Sequence, residues 1–183
     1  LVEKWNTAIN LIARSTLAEA WGRHVLDSVQ VFPLAPQSVK RWADFGSGAG
    51  FPGVVVAILS KQLRPDCETF LIESDQRKAT FLREVVRTLS LKATVLSERI
   101  DETAPLGCDV VSARALAPLD KLLPLALRHL TPNGTALFLK GRTYQQEIAE
   151  AQKTYRFRVE KIGSEVDAES AVLRLQGIEK VEV

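Results

Sequence analysis

Between two apolar runs the chain reads Ala43-Asp44-Phe45-Gly46-Ser47-Gly48-Ala49-Gly50-Phe51-Pro52-Gly53, and Val54-Val55-Val56-Ala57-Ile58-Leu59 follows. This is the pattern of a strand end, a glycine-rich turn and a helix start, which brings backbone N–H groups close to a ligand. A side chain at Gly46 or Gly48 would block that approach. At the end of the next apolar run, Thr69-Phe70-Leu71-Ile72, stands Glu73. A carboxylate at this place accepts hydrogen bonds from both hydroxyls of a ribose. Together, the glycine turn and the ribose acid call for a nucleoside-containing cofactor.

The spacing separates the candidates. A dinucleotide fingerprint is Gly-x-Gly-x-x-Gly, and counted from Gly46 its last position is Phe51. The chain has Gly-x-Gly-x-Gly instead, through Gly50, led by Asp44. A pyrophosphate needs several free N–H groups at a helix N-terminus, and Pro52 has none to give. Asp44 would repel a diphosphate but suits a ligand carrying an ammonium group. S-adenosylmethionine has an ammonium, a sulfonium, a ribose and an adenine, and no phosphate. The pattern therefore favours S-adenosylmethionine, with S-adenosylhomocysteine as product, over NAD.

The elements that must hold this turn can be read around it. Val2, Trp5, Ile9 and Ile12 repeat at helical spacing, predicting a helix over about 2–13. Ser15 or Thr16 can cap a second helix, with Glu19 completing a capping box to Thr16. That helix carries Leu17, Trp21, Val25, Leu26, Val29 and Phe32, and residues 33–40 read as a linker. From Arg41 strands and helices alternate: strands at 41–45, 69–73, 93–97, 109–113 and 135–140, with helices near 52–63, 75–90, 118–130 and 143–153. Asn133-Gly134 predicts a turn into the fifth strand. Two last strands, about 155–162 and 171–177, have only a short link and so pair antiparallel. The expected fold is α/β, a seven-stranded class I S-adenosylmethionine-dependent methyltransferase (Rossmann-like) sheet with helices on both faces. Residues 1–40 form an N-terminal helical extension packed on the core, and 41–183 the methyltransferase domain.

Ligands of such sheets bind at the carboxyl ends of the strands. The Ile100 N–H and the Asp101 carboxylate are placed to read adenine, and Phe51 to pack on the cofactor. Asp101 equally suits a helix N-terminus. Arg77, Lys78, Arg99, Arg114 and Lys140 fall on the same edge, a cationic cluster suited to phosphate. Arg114 and Lys140 flank the middle of the sheet, nearest the methyl group. His24 and Asp27 share one helix face, either as a polar pair at the ligand or as a structural hydrogen bond. Trp5, Trp21 and Trp42 sit at apolar periodic positions and read as core. His129 reads as a helix C-terminal partner.

Composition narrows the class. The chain has 183 residues, 46% hydrophobic and 25% charged, with a net charge of +2. That is one ordinary soluble domain, without the global basicity of a nucleic-acid binder. No apolar run approaches the ~20 residues of a membrane span, and no signal peptide is visible. Cys67 and Cys108 follow no metal spacing and read as free thiols in a reducing cytoplasm. Met is absent, an initiator included, so the chain is expected to begin inside a longer gene product.

Chemistry is excluded as well. Exocyclic amine methylation commonly uses an Asn/Asp-Pro-Pro-aromatic loop after the fourth strand, where this chain has Ser112-Ala113-Arg114-Ala115. Methylation at pyrimidine carbon needs a cysteine in the site, and both cysteines precede their strands. A guanine N7 has a lone pair and no proton to lose, so alignment and exclusion of water suffice.

The blocks Lys4-Trp5-Asn6…Asn10-Leu11, Arg23-His24-Val25-Leu26-Asp27-Ser28, Asp44 to Gly53, Glu73…Lys78…Phe81-Leu82, Ser112-Ala113-Arg114-Ala115 and Leu139-Lys140-Gly141 resemble the bacterial 16S ribosomal RNA guanine-N7 methyltransferase family, the RsmG or GidB type. The resemblance spans nearly the whole chain. It implies methyl transfer to N7 of a guanosine in 16S rRNA, free or in a small-subunit assembly particle, by a cytoplasmic monomer with no membrane partner and no metal. It maps Gly46, Phe51, Ile100, Asp101 and Arg114 onto cofactor positions, and Asn10, Arg77, Arg99 and Lys140 onto RNA or activity positions. Arg114, Lys140 and Arg99 are the expected catalytic set; Asn10, Arg77, Lys78, Arg99 and Lys140 the expected RNA contacts; Asp44, Gly46, Gly48, Gly50, Phe51, Glu73, Ile100, Asp101 and Arg114 the expected cofactor contacts. Where the family often has Arg-His before its last strand, this chain has Ser170-Ala171. A non-catalytic cofactor-binding module and an NAD-dependent oxidoreductase are the competing classes.

Overall fold

A computed structural model describes residues 1–13 and 21–181. Its sheet has seven strands in the order β3-β2-β1-β4-β5-β7-β6. They are β1 Arg41–Phe45, β2 Glu68–Ile72, β3 Ala93–Leu96, β4 Cys108–Arg114, β5 Leu130–Lys140, β6 Tyr155–Gly163 and β7 Ala171–Lys180. The first five are parallel, and β7 runs antiparallel to both neighbours. The strand order reverses at β1 and β4, so the loops after these two strands part and leave a crevice.

Alternation of side chains sends the strands' apolar residues to both faces. On one face Ala43, Phe45, Val111, Ala113 and Phe138 pack under α5 (Leu119–His129) and α6 (Tyr144–Ala151). On the other, Trp42, Val110, Leu137 and Leu139 meet Val31, Phe32, Ala35 and Val56 of α3 (Gly53–Leu63). Leu71 lies there too, with Phe81, Leu82 and Val85 of α4 (Gln76–Leu89) and with Trp5, Ile9 and Leu11. Helices therefore cover both faces. The Asp75 carboxylate caps α4 by accepting from the N–H groups of Arg77 and Lys78 at 2.8 and 3.3 Å.

The amino-terminal part departs from the expected helices. Helix α1 is only Val2–Asn6. It stops because the Asn6 amide turns back on the chain: its Oδ1 accepts from the Leu11 and Ile12 N–H groups, and its Nδ2 donates to the Ile12 carbonyl. The predicted caps Ser15 and Thr16 lie outside the described residues. The chain resumes as a π-helical turn, Trp21–Leu26, running into α2, Asp27–Val29. The expected linker is pinned by Arg64, which donates to the carbonyls of Phe32 and Ala35 at 3.2 Å and lies over the Phe32 ring. Trp42 is buried as expected, whereas Trp21 is 78% exposed. The π winding shifts the phase on which its expected burial rested. Asn133-Gly134 is a bulge inside β5 rather than a turn before it, because Cys108 pairs with Leu130 and Val110 with Thr135.

Candidate active site

The crevice holds a cleft of about 620 Å³ at the carboxyl ends of β1, β2 and β4. Gly46, Gly48, Glu73, Lys78, Arg99, Ile100, Asp101 and Arg114 line it. Gly48 has φ +52°, and a Cβ there would find nothing nearer than the Gly46 carbonyl at 3.7 Å. Its cleft side is open space that only a glycine keeps clear in this conformation. The Glu73 carboxylate is fixed by its own neighbours: Oε2 accepts from the Gly48 N–H at 2.9 Å and Oε1 from the Asp75 N–H at 2.8 Å. Each oxygen keeps a second lone pair for a ligand.

On the side of the cleft expected to read adenine, Arg99 forks onto Asp101, with Nε–Oδ1 and Nη2–Oδ2 distances of 3.1 Å. This exposed pairing holds the Asp101 carboxyl below the usual carboxylate range, through the hydrogen bonds from Arg99. The backbone beneath it is anchored from α5. His129 is fully buried, and its Nε2–H donates to the Ile100 carbonyl at 2.9 Å. Arg128 Nε donates to the Thr103 carbonyl at 3.0 Å. His129 thus holds the Ile100 turn, a larger role than the helix-end partner expected of it.

A second cavity, of about 390 Å³, lies beyond Arg114 at the end of β5. The two cavities share Arg114, Ala115, Leu116 and Ala117 as a common wall. Arg114 is the hub. Its Nη1 lies 3.0 Å from His24 Nδ1 and 3.5 Å from Asp27 Oδ2, and its guanidinium sits 5.2 Å from the Phe51 ring centre. His24 stacks on the same ring at 5.4 Å. Guanidinium has no acceptor, so His24 Nδ1 receives the bond and the proton sits on Nε2. Burial, and then the charge of Arg114, hold the His24 pKa below its ordinary value. Asp27 Oδ1 also accepts from Gln30 Nε2 at 2.7 Å and Ser164 Oγ at 3.4 Å.

Several expected site residues take other places. Asp44 does not line the cleft. It is 1% exposed and lies beneath the turn, where Oδ1 accepts from Ser112 Oγ at 2.7 Å, and that hydroxyl accepts from Trp42 Nε1 at 2.9 Å. Burial pushes its carboxyl up to about 6 against the hydrogen bonds from Ser112 and Ser47. Gly50 faces Val54, and the Phe51 ring is occupied by His24 and Arg114 rather than turned to the cleft. Lys140 is not an open phosphate contact. Its Nζ donates to Glu147 Oε2 at 2.7 Å and to the Ala117 carbonyl, with 8% of the side chain exposed. Arg77 and Asn10 are exposed and line neither cavity. Glu147 and Ser164 escaped the sequence reading, since nothing in their local spacing marks them. Both cysteines are buried, and burial pushes the Cys108 thiol up to about 12, so it is no nucleophile.

Strand order, glycine turn and cleft define the class I methyltransferase fold, that of enzymes drawing their methyl group from S-adenosylmethionine. A solved S-adenosylmethionine-dependent methyltransferase from Aquifex aeolicus superimposes with a TM-score of 0.63 at 15% identity, covering 90% of this chain and 98% of that one. TYW2 of M. jannaschii, solved in complex with AdoMet, gives 0.61 at 15% identity, covering 96% of this chain and 80% of that one. Within the class, the model of the GidB family, described as rRNA small subunit methyltransferase G, matches residues 1–171, and the chain belongs to this family. The ribosomal RNA small subunit methyltransferase G of Rhodospirillum centenum is 51% identical over 97% of this chain and 80% of its own length. That of a Ruegeria species is 45% identical over 99% and 88%. Among the described residues no helix is long and apolar enough to cross a membrane.

Proposed function

We propose that the protein transfers a methyl group from S-adenosylmethionine to N7 of a guanosine in 16S ribosomal RNA, in the cytoplasm. The observation that carries this reading is the wall Arg114–Ala117, which faces the cofactor cleft on one side and a separate cavity on the other. A methyl donor in the first and a base in the second would meet at the rim of this wall, where N7 could reach the methyl carbon at about 3–3.5 Å and displace the sulfur in line.

The residues fit the donor. Gly48 leaves room for its amino-acid end, whereas the space beside Gly46 is taken by Leu116, whose Cδ1 would lie 2.7 Å from a Cβ there; Glu73 offers free lone pairs to a ribose, and the Ile100–Asp101 turn offers a backbone N–H and a carboxylate to adenine. A dinucleotide fits worse, because the third glycine of its fingerprint is replaced by Phe51 and Pro52 has no N–H to give a pyrophosphate. When bound, S-adenosylmethionine supplies an electrophilic methyl group on a sulfonium. The protein's own work is orientation and exclusion of water. Arg114, held by His24, Asp27 and Phe51, presents a fixed cation between the cavities, suited to the acceptor's O6 or a neighbouring phosphate. No proton must leave N7, in keeping with a site whose histidine already spends its lone pair on Arg114. Lys78 and Arg99 at the cleft rim, with Arg77 and Asn10 further out, are the proposed RNA contacts. Lys140 is a positioning residue for the second cavity, through Glu147.

Mass spectrometry of 16S rRNA from cells with and without the gene tests the reading. A 7-methylguanosine present only with the gene is expected. Identical modification in both strains would overturn it.

A further inference from the structure

The second cavity and a neighbouring outer cavity of about 730 Å³ share Asp27, Arg114 and Ser170. A base entering through the outer cavity passes these residues. Asp167 and Glu169 line the outer cavity alone, whereas Asp27 and Glu147 line the cavity at the wall, and these two are not equivalent. Glu147 is firmly held: Oε2 accepts from Lys140 Nζ at 2.7 Å and the Leu119 N–H at 2.9 Å, and Oε1 from Thr143 Oγ1 at 3.1 Å. Asp27 is held through Oδ1, by Gln30 and Ser164, whereas the partner of Oδ2 among the described residues is Arg114, at a long 3.5 Å. Its side chain is 16% exposed, into these cavities. Gln30 fixes the orientation of the carboxylate while leaving one oxygen with capacity to spare.

A carboxylate accepts and never donates. Guanine presents adjacent donors on its Watson–Crick edge, N1–H and the 2-amino group, with the acceptor O6 beside them and the acceptor N7 beyond O6 on the neighbouring edge. Adenine presents a lone pair at N1 and would face the carboxylate acceptor to acceptor. We infer that Asp27 selects guanine by accepting from its N1–H and 2-amino group, which leaves N7 turned toward the wall shared with the cofactor cleft; this rests on the guanosine acceptor proposed above. Arg114, bonded to the same carboxylate, is the donor nearest O6. Asp27 therefore sets both the identity of the base and the edge it offers.

The test uses the whole protein and a 16S rRNA fragment bearing either guanosine or inosine at the modified position. Inosine keeps N7, O6 and N1–H and lacks only the 2-amino group. Transfer rates are corrected for intrinsic N7 reactivity measured with dimethyl sulfate. The wild type is expected to methylate the inosine RNA at least about 10-fold more slowly. Asp27→Asn should lose at least about 10-fold on guanosine and narrow the guanosine-to-inosine ratio to about 2, with S-adenosylhomocysteine affinity unchanged. Equal wild-type rates on the two RNAs, or an Asp27→Asn protein that keeps the wild-type ratio, would overturn the inference. If Asp27→Asn does not fold, the wild-type ratio decides alone. Wild-type failure on both RNAs, presented free and in a partly assembled small-subunit particle, would overturn the guanosine acceptor itself, and the inference with it.

Discussion

Two ion pairs stand on either side of the Arg114 wall, and they behave oppositely. Arg99–Asp101, on the cofactor side, is 64% and 54% exposed, and Lys140–Glu147, on the other, 8% and 19%. Water screens the first, so either partner can be lent to a ligand at little cost. The second is closed by a backbone carbonyl, a backbone N–H and a threonine hydroxyl, and releasing one partner strands a charge. The rim of the proposed cofactor cleft is thus built to be rearranged by what binds, and the proposed acceptor side is built beforehand.

The sharpest way to break this contrast is Lys140→Met. Leaving Glu147 buried without its partner should cost about 3–5 kcal/mol in urea unfolding, and Lys140→Met with Glu147→Leu should recover most of it. A loss no larger than that of a surface lysine would show the pair to be solvated after all.

Asp44 comes next. Its carboxyl rises from 3.8 to about 6 on folding, so the stabilising state is the protonated one. Its contribution is complete below pH 3.8 and lost as pH rises through about 6, roughly 3 kcal/mol in all. Asp44→Asn should flatten this part of the stability profile without moving S-adenosylhomocysteine affinity at pH 8, as befits a carboxylate bonded to Ser112. A large loss of affinity would return Asp44 to the ammonium contact that its place in the turn first suggested.

His24 has the opposite sign. Its pKa is lowered from 6.5, so below that value the unfolded chain takes up the proton first and stability falls with acidification. The His24→Gln variant should lose this acid-side decline, read as a shallower slope of the melting midpoint below pH 6.5. An unchanged slope would place the decline elsewhere.

The smallest effect is expected for Arg99→Ala, an unchanged melting midpoint with a few-fold weaker binding of cofactor product or RNA. A marked fall in melting midpoint would erase the distinction between the two pairs.

The sequence carried what is local. The glycine turn, the strand before it and Glu73 are set by spacing within one βαβ unit, and the seven strands follow from period and turn residues. Partners distant along the chain were not legible. Asp44 reads as a ligand acid until the register sets it opposite Ser112. Lys140 reads as a free cation until α6 folds Glu147 back onto it. Arg114 was placed at the right edge, but its meeting with His24 and Asp27 depends on how the amino-terminal segment crosses the sheet. Trp21 shows the limit of periodicity, because apolar spacing forecasts burial only where the winding stays at 3.6 residues per turn.

One small join has a temporal consequence. Gln30 bonds Ser164 Oγ at 3.3 Å and accepts from the Glu165 N–H at 3.2 Å, so the start of the chain is stitched to the hairpin at its end. During synthesis the glycine turn emerges early, whereas the stitch waits for residues 164 and 165. A nascent chain ending before them holds the donor half of the machinery without the Ser164 brace on Asp27. Under the proposed reading the acceptor side is therefore completed late, after the turn that holds the donor, by the carboxyl-terminal hairpin and β7.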